Sequence, residues 1–368
     1  MKVSIGSPII QGPYGGGNLF VKNLSKYLFD QGHEVVFGLK DKDIDIIIIT
    51  NPLKYSEVSI YNQHDVNFYL KFINPNALVV QRINECDERK DTNNVNIQIL
   101  EANKCADYTI FVSNWIKRLY EEKGISKKNS RVILSGSDEN IFFIRKNFEK
   151  NVGNKKLKLV THHWSSNWKK GFDIYIKIDE LLDKPEWSSL IEFTYIGNLP
   201  KGILFKNIKH FPPKTDIQLG EVLNSYDGYI TASINEPSGN HHIEAAQSGL
   251  PILYLESGGI PEYCEGYGIG FNSSNFELKL KEFINKNKFL KKNMTNYPNN
   301  ATKSNEAYLE LFDVMIKNKN NFLNSRFQHS KVKVLYNYSK NIMIKILFFM
   351  YLKFIYILKN LVLKKVKL

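Results

Sequence analysis

The sequence has 368 residues, more than one ordinary hydrophobic core supports, so two domains are expected, and its 43% hydrophobic content is ample to fill both. A net charge of +13 invites a nucleic-acid reading, but ten Lys and Arg lie after residue 325 with no acid among them, leaving +3 for the rest. The basicity therefore belongs to the C-terminal tail, which argues against a nucleic-acid partner, while three isolated cysteines without C-x-x-C spacing and no apolar leader after Met1 fit a reducing cytoplasm.

Residues 3–5 read as a strand, Gly12 to Gly17 as a glycine turn, and residues 19–30 as a helix with Leu19, Phe20, Leu24, Tyr27 and Leu28 on its apolar face. Such a turn, here including Gly15 and Gly16, lets backbone amides approach a phosphate closely. Its spacing is not that of the dinucleotide G-x-G-x-x-G loop, which lowers a nicotinamide enzyme as an alternative. Residues 45–50, DIIIIT, form a buried strand. Asp43 and Asp45 flank Ile44 in a D-x-D pattern, but directly before a buried strand they read as structural, and no metal is expected. Residues 77–80 form a strand that delivers the polar run Gln81 to Lys90 to the functional edge of a parallel sheet; Arg82, Asn84, Glu85 and Asp87 are the candidates within it. A helix (101–107), a strand (108–113), a helix (114–122), a strand (131–134) and the turn Gly136-Ser137-Asp138 follow. The boundary between a first domain, 1–147, and a second, 148–302, is expected in the Lys- and Asn-rich segment 143–155.

The second domain opens with a strand at 157–161, then His162-His163-Trp164-Ser165-Ser166-Asn167-Trp168-Lys169-Lys170-Gly171. A cation beside a glycine turn and a helix start can hold a diphosphate and stabilise the charge that grows on it, which nominates Lys170 and its neighbour Lys169. The pairs His162-His163 and His241-His242 do not make a zinc site on spacing, because adjacent residues point to different faces and no third ligand is suitably placed. Strands at 193–197 and 208–211 and a helix at 216–225 lead to residues 231–263, TASINEPSGNHHIEAAQSGLPILYLESGGIPEY. Here a strand, a turn, a helix at 241–248 and a strand alternate, as in parallel sheets whose ligands sit at strand ends. Glu236 and Glu244 can each accept from two vicinal hydroxyls. The amides of Ser238, Gly239 and Asn240 at a helix N-terminus favour an anion. One segment could therefore grip both halves of a sugar nucleotide.

A helix at 304–317 is expected to start at an Ser304 N-cap. In the tail, residues 342–363 are strongly apolar but interrupted at Lys345, Lys353 and Lys359. No run approaches the roughly twenty residues needed to span a bilayer. A helix lying on an anionic membrane surface is expected, with a packed or partner-binding helix as the alternative.

The order Glu236-Pro237-Ser238-Gly239, four residues, Glu244, then Ala245-x-x-x-Gly249-x-Pro251 and Gly258-Gly259-x-Pro261-Glu262, resembles the E-x7-E region of the family-4, or group 1, glycosyltransferases. The Gly15-Gly16 loop and the Lys170-Gly171 step are similar to that family's elements, and the resemblance covers roughly residues 1–320. It implies an α/β fold of two Rossmann-like domains (GT-B) facing a cleft, with 303–325 crossing back to the first domain; the basic, apolar helical tail, 326–368, follows no family pattern. It further implies a retaining transferase that moves a hexose from a nucleoside diphosphate sugar to a glycan or lipid-linked acceptor, with no cofactor and no metal. Glu236 and Lys170 would be catalytic. Gly15, Gly16, Lys169, Ser238, Gly239, Asn240, Glu244, Gly258 and Gly259 would hold the donor. Arg82, Asn84, Glu85 and Asp87 would face the acceptor. Trp164 stands where the family has an arginine, so either Lys169 compensates or the donor is held differently; Asn84-Glu85 stands where His-Asp often occurs. A sugar-nucleotide epimerase or phosphorylase, or a non-catalytic membrane-associated sugar-binding scaffold, are the other readings.

Overall fold

The computed structural model describes residues 1–10, 12, 15–53, 56, 58–145, 156–214, 216–327 and 329–365, with side chains to residue 356. Most of the segment expected to hold the domain boundary, 146–155, lies outside the described residues, as do two residues of the first glycine turn.

Two wholly parallel six-stranded sheets organise the chain. The first contains β1 (Lys2–Ile5), β2 (Glu34–Val36), β3 (Ile46–Ile49), β4 (Leu78–Ile83), β5 (Tyr108–Phe111) and β6 (Ser130–Val132), in the order β2-β1-β3-β4-β5-β6. The second contains β7 (Leu157–His163), β8 (Ile191–Gly197), β9 (Lys209–Phe211), β10 (Gly228–Thr231), β11 (Ile252–Leu255) and β12 (Gly268–Phe271), in the order β12-β11-β10-β7-β8-β9. Parallel pairing requires crossovers, and helices such as Gly16–Asp30, Gln63–Phe72 and Asn240–Gln247 supply them. The central strands β3 and β4 are buried along their whole length, so they read as unbroken apolar runs rather than as alternation. Each sheet changes its direction of winding once, between β1 and β3 in the first and between β7 and β10 in the second. In such sheets the crevice beyond the carboxyl ends at that point is where ligands bind.

Helix Ala301–Lys317 leaves the second sheet and packs its Tyr308, Leu311, Phe312 and Met315 into the core of the first, beside Val21, Leu24 and Leu28. It begins three residues before the expected Ser304. Asn300 is the N-cap, its side chain accepting from the Lys303 amide at 2.8 Å.

The C-terminal helix Lys331–Lys365 lies against Gln63–Phe72. Tyr338 stacks on Phe68 with ring centroids 4.0 Å apart, and Lys345 Nζ lies 2.7 Å from Asp65 Oδ2. Beyond Lys345 its Leu347, Phe349, Met350, Tyr351 and Phe354 are exposed. Arg326, counted with the tail on charge, is a fixture of the body: its guanidinium pairs with buried Asp107 and donates to the carbonyls of Pro75 and Ala77.

Candidate active site

The two sheets face a cleft of about 470 Å³ lined from both sides. On the second-domain side, β7 runs into a 3-10 turn, Trp168–Lys170, capped by the Asn167 side chain and closed by Gly171 at φ 102°. The Ile234 amide donates to the Lys169 carbonyl at 2.8 Å, tying that turn to the loop after β10. That loop carries Glu236, whose carbonyl accepts from the Gly259 amide at 2.8 Å. Adjacent strand ends thus bring Lys170 and Glu236 together, with Lys170 Nζ 2.5 Å from Glu236 Oε2.

The other oxygen of Glu236 faces the first domain. Arg89 Nε, from the short helix Asp87–Lys90 after β4, lies 2.9 Å from Glu236 Oε1. The contact is coulombic, since the buried Nε–H is not aligned on an acceptor. Arg89 Nη1 donates to Glu85 Oε2 at 2.8 Å, and Lys90 Nζ lies 2.9 Å from the same oxygen. Burial alone would raise the Glu236 carboxyl, but the Arg89 and Lys170 charges outweigh it and hold its pKa at about 2. Burial pulls Lys170 below the usual lysine range, with Glu236 opposing and Arg89 adding to the pull. Glu236 is an anion clamped between two cations.

Glu244, on the helix Asn240–Gln247, has Oε2 2.8 Å from His162 Nε2, while Oε1 has no protein partner among the described residues. Beneath it His163, His241 and His242 pack edge to face, with ring centroids of 4.6 Å for His163–His241 and 4.9 Å for His241–His242. Burial keeps His163 and His241 far below the usual histidine range and His242 at about 3, so all three are neutral at pH 7. Although the two histidine pairs meet, no group of three or more metal-ligating side chains is found among the described residues. Asp43 and Asp45 are bound to Lys2, through its Nζ at 2.9 Å and its backbone amide at 2.8 Å.

Of the residues nominated from sequence, Gly15, Gly16, Arg82, Asn84, Glu85, Lys170, Glu236, Ser238, Gly239, Asn240 and Glu244 line the cleft. Gly16 approaches Asn240 across it so closely that a Cβ would fall 2.5 Å from Asn240 Oδ1. Gly239, at φ 79°, turns the chain from Glu236 into the helix. Four nominees lie elsewhere. Lys169 Nζ donates to the Glu88 carbonyl at 2.8 Å and pairs with Asp91, so its ammonium is engaged at the seam between the domains and not in the cleft. Gly258, at φ 66°, lies behind the Glu236 backbone, and a Cβ on Gly259 would fall 2.2 Å from the Pro237 carbonyl and 2.6 Å from Ser113 Oγ. Asp87 accepts from the amides of Val95 and Asn96, at 2.9 and 3.0 Å, at the start of the helix Val95–Asn103. Arg89 belongs to the same polar run, but nothing local in Gln81 to Lys90 marks which charge crosses the cleft.

No family model matches this sequence, and no curated protein matches it. Solved structures do resemble it in three dimensions. The catalytic domain of starch synthase IV from Arabidopsis thaliana aligns at a TM-score of 0.64 and 12% identity, over 86% of this chain and 99% of that one. HepE from Anabaena aligns at 0.62 and 15%, over 85% and 99%. A glycosyltransferase from Rickettsia africae aligns at 0.61 and 16%, over 86% and 98%. The fold is the two-domain α/β architecture of the GT-B glycosyltransferases.

Proposed function

We propose that this protein is a retaining, metal-independent glycosyltransferase of the family-4 kind, moving a hexose from a nucleoside diphosphate sugar to a hydroxyl of a glycan or lipid-linked acceptor. The observation that carries the reading is Glu236, buried and anionic, meeting Lys170 at the switch point of the second sheet, with Glu244 on the same wall of the cleft. Glu244 would take the ribose diol through its unpartnered oxygen. Glu236 and the amides at Ser238 to Asn240 would hold the sugar, and Lys170 would face the leaving phosphate. Arg82, Asn84 and Glu85 on the opposite wall would meet the acceptor. A preorganised charge set of this kind stabilises the negative charge that develops on a departing diphosphate. Structures of HepE hold UDP and UDP-glucose, and that of starch synthase IV holds ADP, which makes a nucleoside diphosphate the natural first ligand to try.

We place its site of action at the cytoplasmic face of a membrane. No helix of the described residues is long and apolar enough to cross one. The exposed aromatic and aliphatic side chains of the last helix, together with the lysines beside them, suit the headgroup region of anionic lipid.

The test is a donor screen on the full chain in mild detergent: UDP-, GDP- and ADP-sugars in EDTA, with release of nucleoside diphosphate as the readout. One donor should turn over despite EDTA, and Glu236→Ala should lower kcat by on the order of 10²–10³. A folded protein that turns over none of them, or a Glu236→Ala variant as active as the parent, overturns the assignment.

A further inference from the structure

We propose that Arg89, supplied by the first domain, is the second cation on the leaving diphosphate, so that the charge-stabilising site is complete only when the two domains are closed on each other. The inference rests on the transferase reading above and names a residue that this reading leaves without a role.

The argument begins with charge. Lys170 and Glu236 are in direct contact and together present no net charge to an incoming anion. Among the acids and cations joined to them, Lys90 offsets Glu85 at 2.9 Å. Arg89 is then the surplus positive charge of the cluster. Its geometry suits the task. Nη1 is fixed on Glu85, while Nη2 has no hydrogen-bond acceptor among the described residues, and the Nε–H is buried without an aligned one. With Nη1 on Glu85 and Nε buried against Glu236, the Nη2 group is the part of the guanidinium left to donate to a phosphate oxygen, and the two carboxylates fix its direction. The residue lines the same cleft as Lys170.

The position of Arg89 depends on the other domain. The carbonyl of its neighbour Glu88 accepts from Lys169 Nζ at 2.8 Å and from Asn235 Nδ2 at 3.1 Å, both second-domain residues. Lys169 also pairs with Asp91 just beyond the helix. These contacts latch the Asp87–Lys90 helix onto the two turns that carry Lys170 and Glu236. In the transfer step the bond from the anomeric carbon to the diphosphate oxygen breaks, and its electron pair goes to that oxygen. The acceptor oxygen bonds to the same carbon, and the acceptor proton passes to the phosphate. Arg89 and Lys170 would share the negative charge that collects there, and with the domains apart only Lys170 remains.

The experiment is calorimetric titration of the full chain with UDP, GDP and ADP, and with uridine, guanosine and adenosine, for wild type, Arg89→Ala, Arg89→Lys, Glu236→Gln and the double variant Arg89→Ala/Glu236→Gln. For the nucleotide that binds wild type, Arg89→Ala should weaken the diphosphate roughly ten- to a hundredfold and leave the nucleoside unchanged. Arg89→Lys should fall between the two, and the same loss should appear on the Glu236→Gln background. If Arg89→Ala fails to fold, Arg89→Lys decides the matter by a several-fold loss confined to the diphosphate. Unchanged diphosphate affinity, an equal loss for the nucleoside, or a loss that vanishes on the Glu236→Gln background overturns the inference while leaving the transferase reading standing. Failure of wild type to bind any of the three diphosphates overturns both.

Discussion

The two walls of the cleft hold their charges in different ways. On the second-domain wall, Lys170 and Glu236 stand just beyond the ends of neighbouring central strands and Glu244 on the helix that follows, all almost fully buried, and the Ile234 amide ties the loop of Glu236 to the turn of Lys170. On the first-domain wall, Glu85, Arg89 and Lys90 ride on and beside a four-residue helix, half-open to solvent and steadied by side-chain pairs and by the opposite domain. A rigid half and a docked half meet at one carboxylate. In the proposed reaction the fixed charges would sit on the scaffold, and Arg89 would come with the domain docked on it.

That contrast predicts unequal costs. On the transferase reading, Lys170→Met should reduce kcat by on the order of 10²–10³, because a preorganised, buried cation that would face the leaving phosphate is lost. Lys90→Met, on a side chain 41% exposed, should cost less than tenfold. Steady-state kinetics on the donor found in the screen checks both, and equal losses would erase the distinction between the walls.

Acid should break the rigid wall first. His163, His241 and His242 are kept neutral by burial in the folded protein, whereas in the unfolded chain they protonate near 6.5. The unfolded state therefore binds more protons below that pH. Their contribution is fully present above about 6.5 and is lost as pH falls, with each histidine adding a slope approaching about 1.4 kcal/mol per pH unit. For His242 the loss runs down to about 3. The melting temperature should fall between pH 7 and pH 5, and His242→Asn should flatten the fall. A melting temperature independent of pH over that range contradicts the prediction.

Gly259 tests how tightly the walls are seated on each other. The Cβ of Gly259→Ala would fall 2.2 Å from a backbone carbonyl and 2.6 Å from Ser113 of the first domain, and the carbonyl cannot swing aside as a side chain would. Overpacking of this kind costs about 1–3 kcal/mol. Denaturant unfolding should show it, together with a raised donor KM. A variant with parental stability would mean that the contact between domains is loose.

Much of the architecture is legible in the sequence alone. The apolar run of β3 announced a strand covered on both faces, and the alternation around Glu236 announced a parallel sheet. What lies within a few residues could be read, because the strand end, the turn at Gly239 and the helix that carries Glu244 are one local unit. What crosses the cleft could not. Lys169 and Lys170 are neighbours in sequence, yet a 3-10 turn sends one to Glu88 and Asp91 and the other to Glu236. Arg89 differs from the other charges of its run only through a partner far along the chain. Gly258 and Gly259 carry a recognisable pattern, and in the structure both are closely packed behind the Glu236 loop.

The smallest effect concerns the same seam. Glu262, from the second domain, accepts the amides of Asn114 and Trp115 at 2.6 and 2.7 Å, at the exposed start of the helix Asn114–Glu122 in the first. It caps a helix across the domain boundary, and a negative charge there also meets the positive end of the helix dipole. Because a local cap, Ser113, is already present, removing Glu262 leaves the helix formed and weakens only its tie to the other wall. Glu262→Ala should cost about 1 kcal/mol in denaturant unfolding. Glu265→Ala, an exposed acid nearby, should cost nothing measurable. Equal stabilities for the two variants would show that this cap does not hold the docked wall in place, and that the latch at Glu88 carries closure without it.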